Sequence, residues 1–218
     1  MAGMAEMLTT AEAAVVARVS LRDVNRAIDE GILPGNLYQA GESRQVVAAA
    51  CPLIAFYVET ADRLTGDARR DAIRTVAPKI GASKHGGAFE TRPKEDWVIR
   101  SDVLTINLAP FVRRAAEQLK RLWKARDMVV STPAILGGVP VIRGTRIPVF
   151  DVAASVSAGE SMARILEAYP ALDAEKVELA ALYAEANPLR GRPRLRPELS
   201  KGAILVSERR FPRRSPAG

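Results

Sequence analysis

The chain has 218 residues, 48% of them hydrophobic but only 5% aromatic, a composition suited to small helical packing units rather than a large sheet. It has no apolar run of the roughly 18 residues a membrane span requires, no basic-then-apolar leader pattern at its start, and one cysteine, Cys51, which excludes an internal disulfide framework and points to a reducing cytoplasm with no membrane partner. The net charge of +7 is unevenly carried: residues 189–218 hold nine Lys and Arg against two Glu and account for all of it, leaving a neutral body.

From the N-terminus, residues 8–33 read as two short helices joined by a tight turn. Thr9 or Thr10 can cap a first helix over 11–17, and Ser20 a second over 21–30, with Gly31 ending it. Leu21, Val24 and Ile28 share one face of the second helix, leaving Arg22, Asn25, Arg26 and Asp29 on the other. The turn-rich segment 33–42 fits a small wing, and a further helix is expected over about 43–64, interrupted near Pro52. Cys51, among Ala, Pro, Leu and Ile, reads as a buried inert thiol.

Residues 67–76 are expected to be helical, 78–93 a loop, and 97–106 extended. A strong helix spans 109–126. Val112, Ala115, Ala116, Leu119, Leu122 and Trp123 lie on one side, and Arg113, Arg114, Lys120, Arg121, Lys124 and Arg126 on the other, a basic stripe that can be solvated or face phosphate. Beyond Ser131, TPAILGGVPVIRGTRIPV suggests two short strands, 139–142 and 145–149, turning at Arg143-Gly144. Helices are expected over 150–158, 161–168 and 173–185, the last capped by Asp173. The expected division is 1–64, the unit led by the helix pair; 65–130, a connecting region; 131–188, a hairpin with three helices; and 189–218, a basic tail. The fold class is mainly α with small β elements.

Three groups of residues bear on chemistry. The stretch TTAEAAVVARVSLRDVNRAIDEGIL resembles the MerR-like, excisionase-like helix-turn-helix. A capped helix pair of this kind can offer its second helix to the major groove. Asn25 suits adenine, Arg22 and Arg26 suit guanine, and Arg18 near the turn suits phosphate. Ser20 and Arg44 complete this candidate DNA-binding set. The stretch LGGVPVIRGTRIPVFDV, with the helices after it to about residue 187, closely resembles a small domain of VapB-like antitoxins. That resemblance implies a homeodomain-like three-helix unit preceded by a β-hairpin. In the motif the glycines and prolines read as structural. Arg146 is expected to hold the hairpin through carbonyls, with Arg143 open to phosphate or a partner chain. Glu175, Glu178 and Glu185 make the last helix a poor DNA surface, better suited to dimerisation or toxin contact.

The tail stands where such an antitoxin carries its toxin-binding segment. The resemblance implies as partner a VapC-like PIN-domain ribonuclease, whose carboxylate cluster and Mg²⁺ invite a guanidinium. The candidate toxin-binding residues are Arg192, Arg194, Arg196, Ile204, Leu205, Val206, Arg209 and Arg210, the three apolar ones able to add a strand or fill a groove. The chain is then expected to be a type II antitoxin that represses its own operon, binding operator DNA as a homodimer. The alternative is a MerR-like regulator without a toxin. No enzyme, cofactor or metal site is expected: there is one histidine, His85, in a loop, and no Cys/His cluster or phosphate-binding glycine loop.

Overall fold

In the computed structural model the described residues are 6–41, 43–81, 94–101 and 104–189. The fold is mainly α with small antiparallel sheets, as the composition suggests. The first part is built from β1 (Met7–Thr9), α1 (Thr10–Ala17), α2 (Leu21–Asp29), β2 (Tyr38–Gln39), β3 (Gln45–Val47) and α3 (Cys51–Glu59). The three strands form one sheet in the order β1-β3-β2, with Leu8 opposite Val46 and Tyr38 opposite Val46. The helix expected over 43–64 is therefore only half helix. Gln45–Val47 join the sheet, Ala48–Ala50 form a 3₁₀ turn, and Pro52 sits in the first turn of α3. There its missing N–H costs nothing, so it starts the helix instead of kinking one.

Next come α4 (Gly66–Gly81), β4 (Val98–Arg100), β5 (Thr105–Asn107) and the 20-residue α5 (Ala109–Met128). α4 runs past Pro78, beyond the expected helix end at residue 76, and residues 82–93 of the expected loop lie outside the described residues. β4 and β5 pair antiparallel, Ile99 opposite Ile106. α5 buries Val112, Ala115, Ala116, Leu119, Leu122 and Ala125, the spacing of one helical face. Trp123 was expected on that face but is 38% exposed, and its indole N–H donates to Glu6 Oε1 at 2.6 Å.

The last part holds β6 (Val129–Val130), β7 (Val141–Ile142), α6 (Val149–Ser157), α7 (Met162–Ala168) and α8 (Ala174–Ala186). β7 takes β6 as its ladder partner, Val129 opposite Ile142, and not the segment 145–149. That segment does fold back: Ile142 N donates to Ile147 O at 3.0 Å, Val149 N donates to Pro140 O at 3.0 Å, and Val141 bridges Pro148. Pro140 has no N–H to return the Val149 bond, and Ile147 N goes to the Thr145 hydroxyl, so the ladder stops at that bridge. Gly144, at φ 78°, makes the turn, and the Thr145 hydroxyl locks it by donating to Ile142 O at 2.8 Å and accepting from Ile147 N at 3.1 Å.

Two apolar clusters result. One gathers β1, α1–α5 and the end of α8, with Phe56 meeting Phe111 edge to face at 5.7 Å. The other gathers Ile142, Val149, Val152, Ile165, Leu172, Val177 and Ala180. α5 and α8 join them, since Ala186 lies in the first cluster and Met128 packs on the second. Cys51 is fully buried in the first, and burial pushes its thiol pKa well above the ordinary range, leaving it an inert packing group.

Candidate nucleic-acid interface

The α1–α2 pair is held by local chemistry at each end. Thr9 and Glu12 form a reciprocal capping box at the start of α1: Thr9 N donates to Glu12 Oε2 at 2.9 Å, and Glu12 N to Thr9 Oγ1 at 3.3 Å. α1 ends at Arg18, which is left-handed at φ 57°, ψ 43°. Val19 N reaches back to Ala14 O and Arg18 N to Val15 O, the pairing that closes a helix around a left-handed residue. Ser20 then opens α2 with a second capping box through Asp23. Two helices thus meet across Arg18-Val19-Ser20, and Val24, Ala27 and Ile28 turn inward. Arg22, Arg26 and Asp29 of α2 remain exposed, with the exposed Arg18 beside its start. The two capped helices are thus joined by a three-residue turn, and the β2–β3 turn follows them.

The six candidate DNA-contacting residues do not stand equally free. Arg18 and Arg22 are exposed, with no side-chain ion pair or hydrogen bond among the described residues. Ser20 is consumed by its cap: its hydroxyl accepts from Asp23 N at 3.1 Å and donates to Asp23 Oδ2 at 2.6 Å. It positions α2 instead of reaching outward. Asn25 is half-buried, and its amide donates to Leu21 O at 3.0 Å. That bond uses one of the amide's two N–H donors, so it fixes the rotamer from which Asn25 would meet adenine. Arg26 Nε meets Glu30 Oε1 at 2.8 Å, and this hydrogen bond and charge raise the guanidinium's pKa. Arg44, just before β3, meets Asp29 Oδ1 at 2.8 Å. Asp29 and Glu30, outside the candidate set, hold two of its arginines. The 26/30 spacing was a visible signal for one pair, but nothing local announces the other.

The basic stripe of α5 has a different use. Arg114 pairs with Glu59 at 2.6 Å, Arg121 with Glu178 at 2.9 Å, Lys124 with Glu175 at 2.9 Å, and Arg126 with Glu12 at 2.7 Å and Glu6 at 3.4 Å. The helix binds this chain's own carboxylates, and two of the three glutamates that made α8 look like a partner surface face it. Arg143 also acts internally. Its Nε donates to Asp127 O at 2.9 Å and its Nη2 to the same oxygen, satisfying a carbonyl at the end of α5. Arg146, expected to do this, is exposed. The candidate toxin-binding residues Arg192, Arg194, Arg196, Ile204, Leu205, Val206, Arg209 and Arg210 lie outside the described residues, as does His85. Among the described residues no three His, Cys, Asp or Glu side chains converge as a metal site, and no helix is long and apolar enough to cross a membrane.

By fold, then, the chain is a mainly α protein whose leading helix pair offers Arg18 and Arg22 to solvent and whose α6–α8 build a second apolar cluster joined to the first through α5 and α8. It belongs to the same family as the uncharacterized protein y4eO of Sinorhizobium fredii (strain NBRC 101917 / NGR234), to which it is 53% identical over 218 residues, covering 100% of this chain and 98% of that protein. Residues 129–184 match the family described as Protein of unknown function (DUF433), which takes in the GGVPVIRGTRIPV motif and α6–α8. No solved structure matches the chain.

Proposed function

We propose that this protein is a DNA-binding autoregulator of the antitoxin kind. In this reading a MerR-like helix-turn-helix reads operator DNA through α2, and the cationic tail neutralises a VapC-like ribonuclease. The observation that carries the DNA half is the exposure of Arg18 and Arg22 at the turn and start of α2, with no competing carboxylate on either among the described residues. In this reading Arg18 takes a phosphate and Arg22 a base edge, the usual division of labour for such a helix. A homodimer would set two copies of α2 in successive major grooves, about 34–36 Å apart.

The tail half rests on charge. A body of zero net charge ends in residues that carry the whole +7. A regulator without a toxin has no use for that segregation around the apolar Ala203–Val206, which favours the antitoxin over the plain regulator.

Gel retardation with the protein's own upstream DNA tests the first half. Arg22→Ala is expected to weaken binding about ten-fold or more if the side chain reaches a base, whereas an unchanged midpoint would remove α2 as the reading element. Co-expression with a VapC-like nuclease encoded beside it tests the second half. Removing residues 189–218 is expected to abolish protection and keep DNA binding, and a truncated chain that still protects cells would sink the tail assignment.

A further inference from the structure

We infer that Asp29 and Glu30 are specificity-determining residues: their carboxylates occupy Arg44 and Arg26 as stand-ins for DNA phosphate, so that only DNA offering base contacts as well displaces them. The inference rests on the DNA-binding reading above.

Its basis is a mismatch between these ion pairs and the helix that carries them. Asp29 and Glu30 stand at the C-terminal end of α2, where the helix dipole disfavours an anion. The Arg26–Glu30 pair also runs cation first, the weaker order for an i,i+4 pair. As devices for stabilising α2 these residues are badly placed. As partners for interface arginines they are well placed. Glu30 holds Arg26 at 2.8 Å and lies 4.0 Å from Arg70 of α4, while Asp29 reaches out of α2 to hold Arg44 at 2.8 Å. Asp23, the remaining carboxylate of the helix, is committed to the Ser20 cap, so the two arginines fall to Asp29 and Glu30.

A guanidinium engaged by a carboxylate cannot give the same donors to a phosphate or a guanine edge. DNA must therefore exchange one anion for another and leave two carboxylates beside its own phosphates. On random sequence the exchange gains only a phosphate contact, close in kind to the bond that was lost. On the operator it also gains bidentate base contacts, which random sequence lacks. The carboxylates thus weaken non-specific binding more than specific binding, which is how a repulsive element creates discrimination.

The test measures full-length wild type, Glu30→Gln and Asp29→Asn at one salt concentration. The probes are a labelled duplex from the protein's own upstream region and a random-sequence duplex of equal length. Glu30→Gln is expected to tighten the random duplex about two- to five-fold, the scale of one exposed ion pair. It should tighten the upstream duplex less, so that the ratio of affinities falls. Asp29→Asn should behave alike. In an Arg26→Gln background the gain from Glu30→Gln should vanish, and in an Arg44→Gln background so should that from Asp29→Asn. A gain that survives those backgrounds reflects general charge repulsion and overturns the inference, as does equal tightening on both duplexes or none in either variant. Wild type that retards neither duplex is a different outcome, which removes the DNA-binding reading itself.

Discussion

Single residues here do work that their chemistry permits but their position assigns. Glu12 is 6% exposed, yet it meets Arg126 at 2.7 Å and the Thr9 backbone N–H at 2.9 Å. A charge that deep is tolerable only when paired, and removing its partner strands it. Arg126→Ala is therefore expected to cost about 2–3 kcal/mol in urea unfolding at pH 7, at the low end for a buried pair because Arg126 itself keeps contact with water. A change under about 0.5 kcal/mol, the ordinary surface-substitution range, would show the pair to be ornamental.

Asp173 illustrates the opposite, exposed case. Its carboxylate caps α8 by accepting from Lys176 N at 2.8 Å. That bond, followed by the Lys176 ammonium, holds its pKa below the ordinary carboxylate value. A lowered folded pKa means that the stabilisation is complete above the unfolded value of about 3.9 and disappears as pH falls through the folded one. Asp173→Asn, which keeps a capping oxygen, should flatten that part of the acid limb of stability. Urea midpoints measured from pH 6 down to 2.5 would check it, and identical acid limbs would refute the assignment.

At the scale of elements, the α1–α2 turn puts an arginine where glycine is usual. Arg18 sits at φ 57° with no relief from its side chain among the described residues. A left-handed conformation costs a non-glycine residue roughly 1 kcal/mol. Arg18→Gly is expected to raise stability by up to about that amount, since glycine has the freer φ there. If Arg18 holds phosphate, the same change weakens DNA binding and lessens its salt dependence by about one phosphate contact. A variant that is more stable and also binds undiminished would mean that Arg18 serves something other than DNA. The motif around Gly144 works similarly. The glycine turns the chain, Thr145 ties the turn, and Arg143 closes the end of α5. The residues that look most functional in that stretch are in large part its joinery.

On the scale of the whole molecule, α5 and α8 are the helices both apolar clusters share. The buried face of α5 serves the first, while its cations reach Glu175 and Glu178 on α8, which lies across both. Exposed pairs of this kind contribute little each. The joining force is therefore the apolar packing of α8 against α1 and α5, through Leu182 and Ala186. Two cores that share two helices should unfold together. Fluorescence from Trp97, buried in the first cluster, and Trp123 on α5, and far-ultraviolet dichroism, which reports α6–α8 as well, are expected to trace one coincident urea transition. Two separated midpoints would show that the clusters are independent.

The amino-acid sequence determined the pieces governed by neighbours. The capped ends of α1, α2 and α8, the buried stripe of α5, and the three helices after the GGVPVIRGTRIPV motif all rest on contacts within about four residues. The sequence also settles the separation of a neutral body from a cationic end. Tertiary structure decided what those pieces meet. Gln45–Val47 read as helix until two strands are there to pair with them, and β7 takes β6 as its ladder partner while 145–149 adds only a single bridge, since Pro140 has no N–H to return the bond from Val149. Whether a lysine or arginine on α5 faces water, phosphate or a glutamate more than fifty residues away likewise depends on packing. Periodicity tells which face of a helix is polar, whereas the partner of each charge is fixed only when distant carboxylates arrive within about 4 Å, where Coulomb attraction exceeds screening.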